Sequence, residues 1–221
     1  MKSLAIFDLD GTLLNTITDL GNAANHALKE MGFPTHHISS YPHFVGGGIT
    51  NLLKNVAPSA DITENDFAEL KRLFIEYYDS HLADNTLPYP GIPELLKELA
   101  DRNVALAVAS NKYQIATVAL VRHFFHDLPW VAVEGQKPDV PVKPDPSIVF
   151  EILSEYPTPK AEVIYIGDSA VDIETARRAA IDSISVTWGF RTVGELVAAY
   201  ADNIVDSPRQ IIEIIDKHSV R

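Results

Sequence analysis

The sequence predicts an α/β protein with a doubly wound parallel sheet and a small all-helical domain inserted near its beginning. Continuous apolar runs alternate with helical segments along most of the chain, as in parallel sheets that are covered on both faces. Residues 16–86 break this alternation, because they show helical periodicity alone. The length of 221 residues is sufficient for one substantial core that carries a smaller unit.

The predicted strands are short runs of aliphatic and β-branched residues. Their continuous rather than alternating hydrophobicity predicts burial on both faces, as in a Rossmann-like sheet. Four runs are clear and a fifth is weaker: residues 4–7, 104–109, 163–166 and 184–187, with the weaker run at 130–133.

The predicted helices have apolar residues spaced near 3.6, and three of them begin with a proline. Those between and after the strands span 93–102, 113–125, 146–156, 171–180 and 208–218. Those of the inserted block span 18–32, 48–57 and 63–82. We therefore predict a core domain of residues 1–15 and 87–221 and a helical domain of residues 16–86. The return hinge is expected at 85–91, where two prolines and a glycine occur.

Composition excludes several classes of function. A formal net charge of −12 argues against nucleic acid and anionic membrane as partners, since both require clustered basic residues. The absence of cysteine excludes disulfides, thiolate metal sites and cysteine nucleophiles. The first apolar run is too short for a signal peptide, and no run approaches the ~18 apolar residues of a membrane span. We expect a cytoplasmic protein that is a monomer or a homodimer.

Polar residues follow the predicted strands, at the edge where ligands bind in open α/β sheets. Each has an ordinary alternative, because aspartate and serine cap helices and glycine permits tight turns. The pattern DxDGT, however, recurs by chance on the order of once in 10^5 positions. The candidate residues at this rim are Asp8, Asp10, Thr12, Ser110, Asn111, Lys143, Asp168 and Asp172.

Four segments resemble, in order, the four motifs of the haloacid dehalogenase superfamily. They are FDLDGTL, the serine at the end of the second strand, the lysine in VKPDP, and GDSAVD. The resemblance extends over essentially the whole chain. Helices inserted directly after the first motif are similar to the cap domain of the phosphatase branch. The segments DLGNAANHAL, FVGGGITNLL and KPDPSIVFEIL look most like phosphoglycolate phosphatase-type members.

The resemblance implies a Mg²⁺-dependent phosphatase for a small phosphorylated metabolite, with 2-phosphoglycolate as a candidate. Asp8 is the implied nucleophile and forms an aspartyl-phosphate, while Asp10 protonates the leaving oxygen and then activates water. The implied Mg²⁺ ligands are Asp8, the backbone carbonyl of Asp10, and Asp168. Asp172 is expected as a further ligand or as a residue that orients the ligands.

The phosphoryl oxygens are expected to contact Thr12, Ser110, Asn111 and Lys143. Two lysines compete for one role, because Lys137 begins a near duplicate of the KPD sequence six residues earlier. Lys143 is the better candidate, since a predicted helix follows it directly and it lies closer to the last motif. Lys137 is expected on the surface.

Substrate selection is expected from a glycine-rich loop in the helical domain. Glycines let backbone approach a ligand, and a helix N-terminus favours an anion. A simple flexible turn explains the loop equally well. The candidate residues are His43, Gly46, Gly47 and Gly48, with Lys54 as a further polar candidate.

Several alternative functions are weighed against this one. A pyrophosphatase or a sugar-phosphate mutase of the same superfamily remains open, as does a phosphate-binding regulatory module without turnover. Two other functions of the superfamily are disfavoured because this chain has Asp10. A dehalogenase lacks this second aspartate and the metal, and a phosphonate hydrolase has another residue in its place. A receiver domain is about half this length and has no helical insertion. A nucleotide-binding Rossmann domain requires G-x-G-x-x-G after its first strand, which is absent here.

Overall fold

A computed structural model describes residues 2–58 and 62–217. The described residues form eight strands. In chain order they are β1 (Leu4–Phe7), β2 (Leu14–Asn15), β3 (Leu87–Pro88), β4 (Ala105–Tyr113), β5 (Trp130–Gln136), β6 (Val163–Gly167), β7 (Asp182–Val186) and β8 (Ile204–Val205). Six of them make one sheet in the order β5-β4-β1-β6-β7-β8, and all its neighbouring strands are parallel.

Helices connect the strands. They are α1 (Ile17–Glu30), α2 (Gly48–Val56), α3 (Glu64–His81), α4 (Ile92–Asp101), α5 (Gln114–Phe125), α6 (Ser147–Glu155), α7 (Ala170–Ala179), α8 (Val193–Ala198) and α9 (Pro208–Lys217). Two short 3₁₀ helices lie at Ile38–His43 and Lys160–Glu162. Within the described ranges, no helix has the length and apolar character to cross a membrane.

Strand β1 occupies the centre of the large sheet. Leu4 is in register with Ala105 on one side and with Val163 on the other. Side chains of successive β1 residues enter different apolar clusters, with Phe7 among residues of α4 and α9, and Ile6 among residues of α6 and α7. Both faces of the sheet are therefore covered by helices, which confirms the predicted doubly wound α/β class.

The helical block has an apolar cluster of its own. Leu53 of α2, Leu70 and Phe74 of α3, and several residues of α1 are buried together there. Thr63 begins α3 through a capping box with Asp66, which satisfies backbone donors at the helix start. Ala116 of α5 belongs to the same cluster, so the block packs directly on the core.

The chain leaves and re-enters the core through two adjacent strands. In the small antiparallel sheet, Leu14 pairs with Pro88 and Asn15 pairs with Leu87. The buried Asp19 of α1 strengthens this junction, because it accepts hydrogen bonds from the backbone N–H groups of Asn85 and Thr86 at 2.8–3.1 Å. The expected hinge region is thus tied to the first helix of the block.

Some boundaries differ from the sequence prediction. Strand β4 continues to Tyr113, four residues beyond the predicted end, although its register with β5 is irregular after Ala109. Strand β7 begins at Asp182 rather than at residue 184, because Asp182 pairs with Ile164 of β6. Helix α9 ends at Lys217, and the predicted last residue, His218, lies outside the described residues.

Candidate active site

Asp8 stands immediately after β1, at the carboxyl edge of the sheet. Its backbone N–H donates to the carbonyl of Ile166 at 2.8 Å, which extends the parallel pairing past the strand end. Its carboxylate Oδ1 accepts from the N–H of Leu9 at 2.7 Å and lies 2.9 Å from the Nζ of Lys143. The side chain is therefore fixed through Oδ1 at the carboxyl edge of the sheet.

Lys143 is a buried ammonium shared among several oxygens. Its Nζ donates to the Oδ1 of Asp172 at 2.7 Å and, at 3.0 Å each, to the carbonyl of Ala109 and the hydroxyl of Tyr165. Burial alone lowers the pKa of a lysine, but here the carboxylates of Asp172 and Asp8 raise it well above its ordinary value. Lys143 therefore carries a permanent positive charge at the rim.

The competing lysine lies elsewhere. Lys137 forms ion pairs with Glu134 and with Glu151, the latter at 3.2 Å, and its side chain is one-third exposed. Tyr165, by contrast, was not anticipated, because it lies in the interior of a strand whose pattern indicates only burial. Its hydroxyl reaches the rim and donates to the carbonyl of Ala109 at 3.0 Å.

Three carboxylates, those of Asp8, Asp168 and Asp172, form the acidic centre of the site. Each offers an oxygen within 4.8 Å of the others, and all three residues are buried. Burial raises the pKa of Asp8 to about 7, against the lowering influence of Lys143. Burial, followed by the neighbouring Asp172 and Asp8, raises the pKa of Asp168 well above its ordinary value.

This donor set fits a hard divalent cation. Buried carboxylates this close repel one another, and a cation among them removes both the repulsion and the cost of desolvation. Oxygen donors suit Mg²⁺, which uses one or two carboxylates and retains water ligands. Asp172 is also engaged otherwise, because its Oδ2 accepts from the N–H and the hydroxyl of Ser169 at 3.1 and 2.6 Å.

Glycines leave the space that Asp168 occupies. A Cβ on Gly11 would lie 2.4 Å from the Oδ2 of Asp168, and a Cβ on Gly189 would lie 2.3 Å from its Cβ. Gly11 also has a φ of +85°, which disfavours other residues. The Oδ2 accepts from the N–H of Phe190 at 2.6 Å. The glycine of the DxDG pattern thus permits the approach of the Asp168 carboxylate, which directly follows β6.

Asp10 is not a member of the group of three carboxylates, and it contacts a different lysine. Its Oδ2 is 3.1 Å from the Nζ of Lys112, and its Oδ1 accepts from the hydroxyl of Thr16 at 2.7 Å. Although burial alone lowers the pKa of Lys112, Asp10 and then Tyr78 raise it above its ordinary value. Lys112 was not among the candidates, although its position after the second predicted strand pointed to the rim.

Of the expected phosphate ligands, Ser110 and Asn111 line the cleft, whereas Lys143 and Thr12 do not. Ser110 lines the cleft and its hydroxyl accepts from the N–H of Lys112 at 3.2 Å. Asn111 also lines the cleft, but its amide bridges two segments: it donates to the carbonyls of Gly46 and Lys143 at 3.1 Å and accepts from the N–H of Lys143 at 2.8 Å.

Thr12, like Lys143 and Asp172, is not part of the cleft lining. Its side chain is fully buried, and its hydroxyl has no hydrogen-bond partner among the described residues. Its carbonyl accepts from the indole N–H of Trp188 at 3.1 Å. Thr12 therefore lies behind the rim, where it is fixed by the segment that follows β7.

A cleft of about 50 Å³ lies between the rim and the helical block. Its polar lining comes mainly from Asp8, Asp10, Ser110, Asn111, Lys112, Asp168, Ser169 and Arg191. Its apolar lining comes mainly from Leu20, Val45, Ile49, Leu52, Phe74, Tyr113 and Phe190. The cleft therefore combines a charged rim with an apolar wall of side chains that come mainly from the helical block.

Two of the four candidates in the glycine loop reach the cleft. Gly46 and Gly48 line it, with φ of +112° and +78°, whereas His43 and Gly47 are not part of the lining. Lys54 is exposed and also lies outside the lining.

Arg191 anchors the same loop from the core. Its guanidinium donates to the carbonyl of Pro42 and, at 2.6 Å, to that of Val45. Its position after β7 was the available signal, but its backbone partners cannot be deduced from sequence.

Comparisons with known proteins agree with this geometry. A family model of haloacid dehalogenase-like hydrolases matches residues 5–186. The phosphoglycolate phosphatase of Agrobacterium fabrum is 32% identical, over 93% of this chain and 89% of that protein. That of Aquifex aeolicus is 28% identical, over 97% of both chains. A solved structure from Lactobacillus delbrueckii, assigned as a phosphoglycolate phosphatase, has a TM-score of 0.89 at 34% identity and covers 97% of this chain and 99% of its own.

The matched region begins in β1 and ends with β7, so it contains every rim residue described above except Gly189, Phe190, Arg191 and Trp188. Fold, order of motifs and extent of similarity therefore lead to the same assignment. The chain belongs to the haloacid dehalogenase-like hydrolase family.

Proposed function

We propose that this haloacid dehalogenase-family phosphatase is Mg²⁺-dependent and hydrolyses a small phosphomonoester, with 2-phosphoglycolate as the favoured substrate. The observation that carries the proposal is the buried group of Asp8, Asp168 and Asp172 beside the ammonium of Lys143, of which Asp8 and Asp168 line the cleft. The choice of 2-phosphoglycolate is supported by the relatives, which are phosphoglycolate phosphatases.

Asp8, Asp168 and the backbone carbonyl of Asp10 are the proposed protein ligands of Mg²⁺, with Asp172 beside them. The bound cation supplies charge neutralisation between the carboxylate nucleophile and the phosphate dianion. Asp172 also fixes Lys143 at 2.7 Å and the start of α7 through Ser169, so we assign it an orienting role in addition.

Asp8 is the proposed nucleophile. Its Oδ1 is held by Leu9 and Lys143, whereas its Oδ2 accepts no hydrogen bond from the described residues. Attack by Oδ2 forms an Asp8–phosphorus bond and breaks the bond from phosphorus to the leaving oxygen, which gives an aspartyl-phosphate. Water then cleaves this intermediate and releases inorganic phosphate.

Asp10 is the proposed proton-transfer residue. It gives a proton to the leaving oxygen in the first step and takes a proton from the attacking water in the second. Its carboxylate lines the cleft and, unlike that of Asp8, is not part of the acidic centre. This separation suits different roles for the two aspartates.

Ser110 and Lys143 are the proposed partners of the phosphoryl oxygens, because a hydroxyl and an ammonium stabilise the charge that develops there. Asn111 supports them by fixing the backbone of Lys143 and the carbonyl of Gly46. Thr12 contributes only by holding the loop, since its side chain is buried away from the cleft.

Residues 16–86 are the proposed cap, and the remaining residues are the proposed core. In this assignment, Gly46 and Gly48 bring cap backbone to the cleft, while the apolar wall limits the size of the leaving group. His43 and Gly47 stay secondary candidates because they do not line the cleft. Excluding water and enclosing the substrate are the expected consequences of cap contact.

The test is phosphate release from a panel of phosphomonoesters and pyrophosphate, with Mg²⁺ or with EDTA. We expect the highest kcat/KM for 2-phosphoglycolate, loss of turnover in EDTA, and a fall of roughly 10^4-fold or more in Asp8→Asn. Full activity of Asp8→Asn contradicts the covalent step. Preference for pyrophosphate indicates a pyrophosphatase instead.

A further inference from the structure

The proposed mechanism leaves one buried cation of the cleft without a role. Lys112 lines the cleft, yet its side chain is only 3% exposed. Its ammonium lies 3.1 Å from the Oδ2 of Asp10 and 4.8 Å from the centre of the Tyr78 ring. A lysine buried in this way is expensive unless its charge is matched, so the two contacts determine where the ammonium sits.

The backbone of Lys112 is fixed independently of its side chain. Its N–H donates to the hydroxyl of Ser110 at 3.2 Å, and its carbonyl accepts from the hydroxyl of Thr117 at 3.0 Å. Gly135 of β5 lies so close that an added Cβ would be 2.6 Å from the Lys112 carbonyl oxygen. The side chain therefore starts from a rigid point in β4, which limits the positions that its ammonium can reach.

Asp10 is held through both carboxylate oxygens. Thr16 donates to Oδ1 at 2.7 Å, and Lys112 contacts Oδ2 at 3.1 Å. A proton-transfer group requires a fixed orientation toward the leaving oxygen, because efficiency falls steeply when the geometry is lost. Tyr78 belongs to α3, so its ring brings the helical block into contact with the group that holds Asp10.

We propose that Lys112 is a positioning residue that orients the carboxylate of Asp10 for proton transfer, with the Tyr78 ring keeping the ammonium in place. The inference rests on the proposed role of Asp10. A role in substrate binding would be different. Lys112 would then contact a second anionic group of the substrate, and its loss would raise KM only for substrates that carry such a group besides the phosphate.

The experiment compares phenyl phosphate with p-nitrophenyl phosphate, which differ little in shape but strongly in the need to protonate the leaving oxygen. Lys112→Met should lower kcat/KM for phenyl phosphate by about 10²-fold, and that for p-nitrophenyl phosphate by less than about threefold. Both values come from the same preparation, so the ratio does not depend on the folded fraction. Lys112→Arg should restore most of the wild-type ratio.

Asp10→Asn separates this inference from the proposed function. Like Lys112→Met, it should lower kcat/KM more for phenyl phosphate than for p-nitrophenyl phosphate. The difference between the two esters should be larger than in Lys112→Met. Absence of that dependence in Asp10→Asn overturns the proposed role of Asp10 itself. Its presence in Asp10→Asn, together with an equal loss for both esters in Lys112→Met, overturns only the inference about Lys112.

Two further comparisons test the contact with the helical block and the specificity of the effect. Tyr78→Phe retains the ring and should keep the wild-type ratio, whereas Tyr78→Leu should move it toward that of Lys112→Met.

Lys137→Met serves as the matched control, because that lysine pairs with glutamates away from the rim. A rise in KM for 2-phosphoglycolate but not for ethyl phosphate in Lys112→Met identifies a substrate contact and contradicts the inference.

Discussion

The two sides of the cleft differ in polarity. The side formed by strand ends carries carboxylates and lysines, whereas the side formed by α1, α2 and α3 presents Leu20, Ile49, Leu52 and Phe74. On the first side each charged group is held by named partners, as Lys143 is by four oxygens. On the second side the contacts are apolar and have no direction.

This difference predicts different responses to substitution. Removing one member of a buried polar group leaves its partners unsatisfied, which costs about 1–3 kcal/mol and more for charges. Removing a methylene from the apolar wall loses about 0.8 kcal/mol and leaves the rim unchanged. The rim should therefore determine the reaction rate for every substrate, and the wall should determine the preference among substrates.

Apart from loss of the proposed nucleophile in Asp8→Asn, the largest effect is expected at the rim, for Asp168→Asn. We expect kcat/KM to fall by about 10²-fold for all substrates, because a proposed Mg²⁺ ligand is lost. In the wild type, Mg²⁺ at 100 times its dissociation constant should stabilise the folded state by about 2.7 kcal/mol, and this gain should be lost in the variant. Thermal unfolding in EDTA and in Mg²⁺ measures it.

The control for Asp168→Asn is Asp127→Asn, which changes an exposed aspartate. It should keep the wild-type response to Mg²⁺. A wild-type response in Asp168→Asn instead removes that residue from the metal site.

An intermediate effect is expected where the two sides meet, for Gly48→Ala. A Cβ there would lie 2.9 Å from the carbonyl oxygen of Asn111, at a φ of +78°. The clash should displace the loop and lower kcat/KM by roughly 10-fold. Strain at a positive φ, about 1–3 kcal/mol, should also lower stability. Steady-state kinetics and chemical denaturation measure the two effects.

Gly32→Ala is the matched control for Gly48→Ala. Gly32 has a similar φ of +72°, but an added Cβ there meets no atom of the described residues within 4 Å. It should lose stability to a similar extent and keep kcat/KM. Equal losses of activity in both variants mean that backbone strain, rather than contact with the core, explains the effect.

The smallest effect is expected in the wall, for Ile49→Val. Loss of one methylene should change the ratio of kcat/KM between a short and a long alkyl phosphate by about fourfold. Ile211→Val, in the apolar core beside α4, provides a matched change away from the cleft and should leave that ratio unchanged. If Ile49→Val lowers kcat/KM equally for all substrates, the wall affects the reaction itself and not only the preference among substrates.

The fold was predictable where burial leaves a pattern in the sequence. Strand β1 is four fully buried residues, so its continuous apolar run indicates its place at the centre of the sheet. Strands β2, β3 and β8 have two residues each, which is too short for any periodicity. Their existence depends on pairing between distant segments, and single-sequence patterns carry no record of that.

The positions of the candidate site residues were predictable where they follow from the order of the strands. The rule that ligands bind at strand ends located Asp8, Ser110 and Asp168, since it depends on topology alone. The rule did not identify Lys112 as the partner of Asp10. The position of the Lys112 ammonium depends on the ring of Tyr78, which belongs to a distant segment of the chain. The rule also placed Thr12 at the rim, whereas the turn directs that side chain into the interior.

The antiparallel pair formed by β2 and β3 has an evolutionary consequence. Because the chain departs at Asn15 and returns at Leu87 side by side, the intervening helices begin and end at one point of the scaffold. A segment of different length or shape can be exchanged between these two points without altering the spacing of the large sheet. A replacement segment would also have to supply the contacts that Tyr78 makes with Lys112 and that Gly46 makes with Asn111, because these contacts hold groups of the rim.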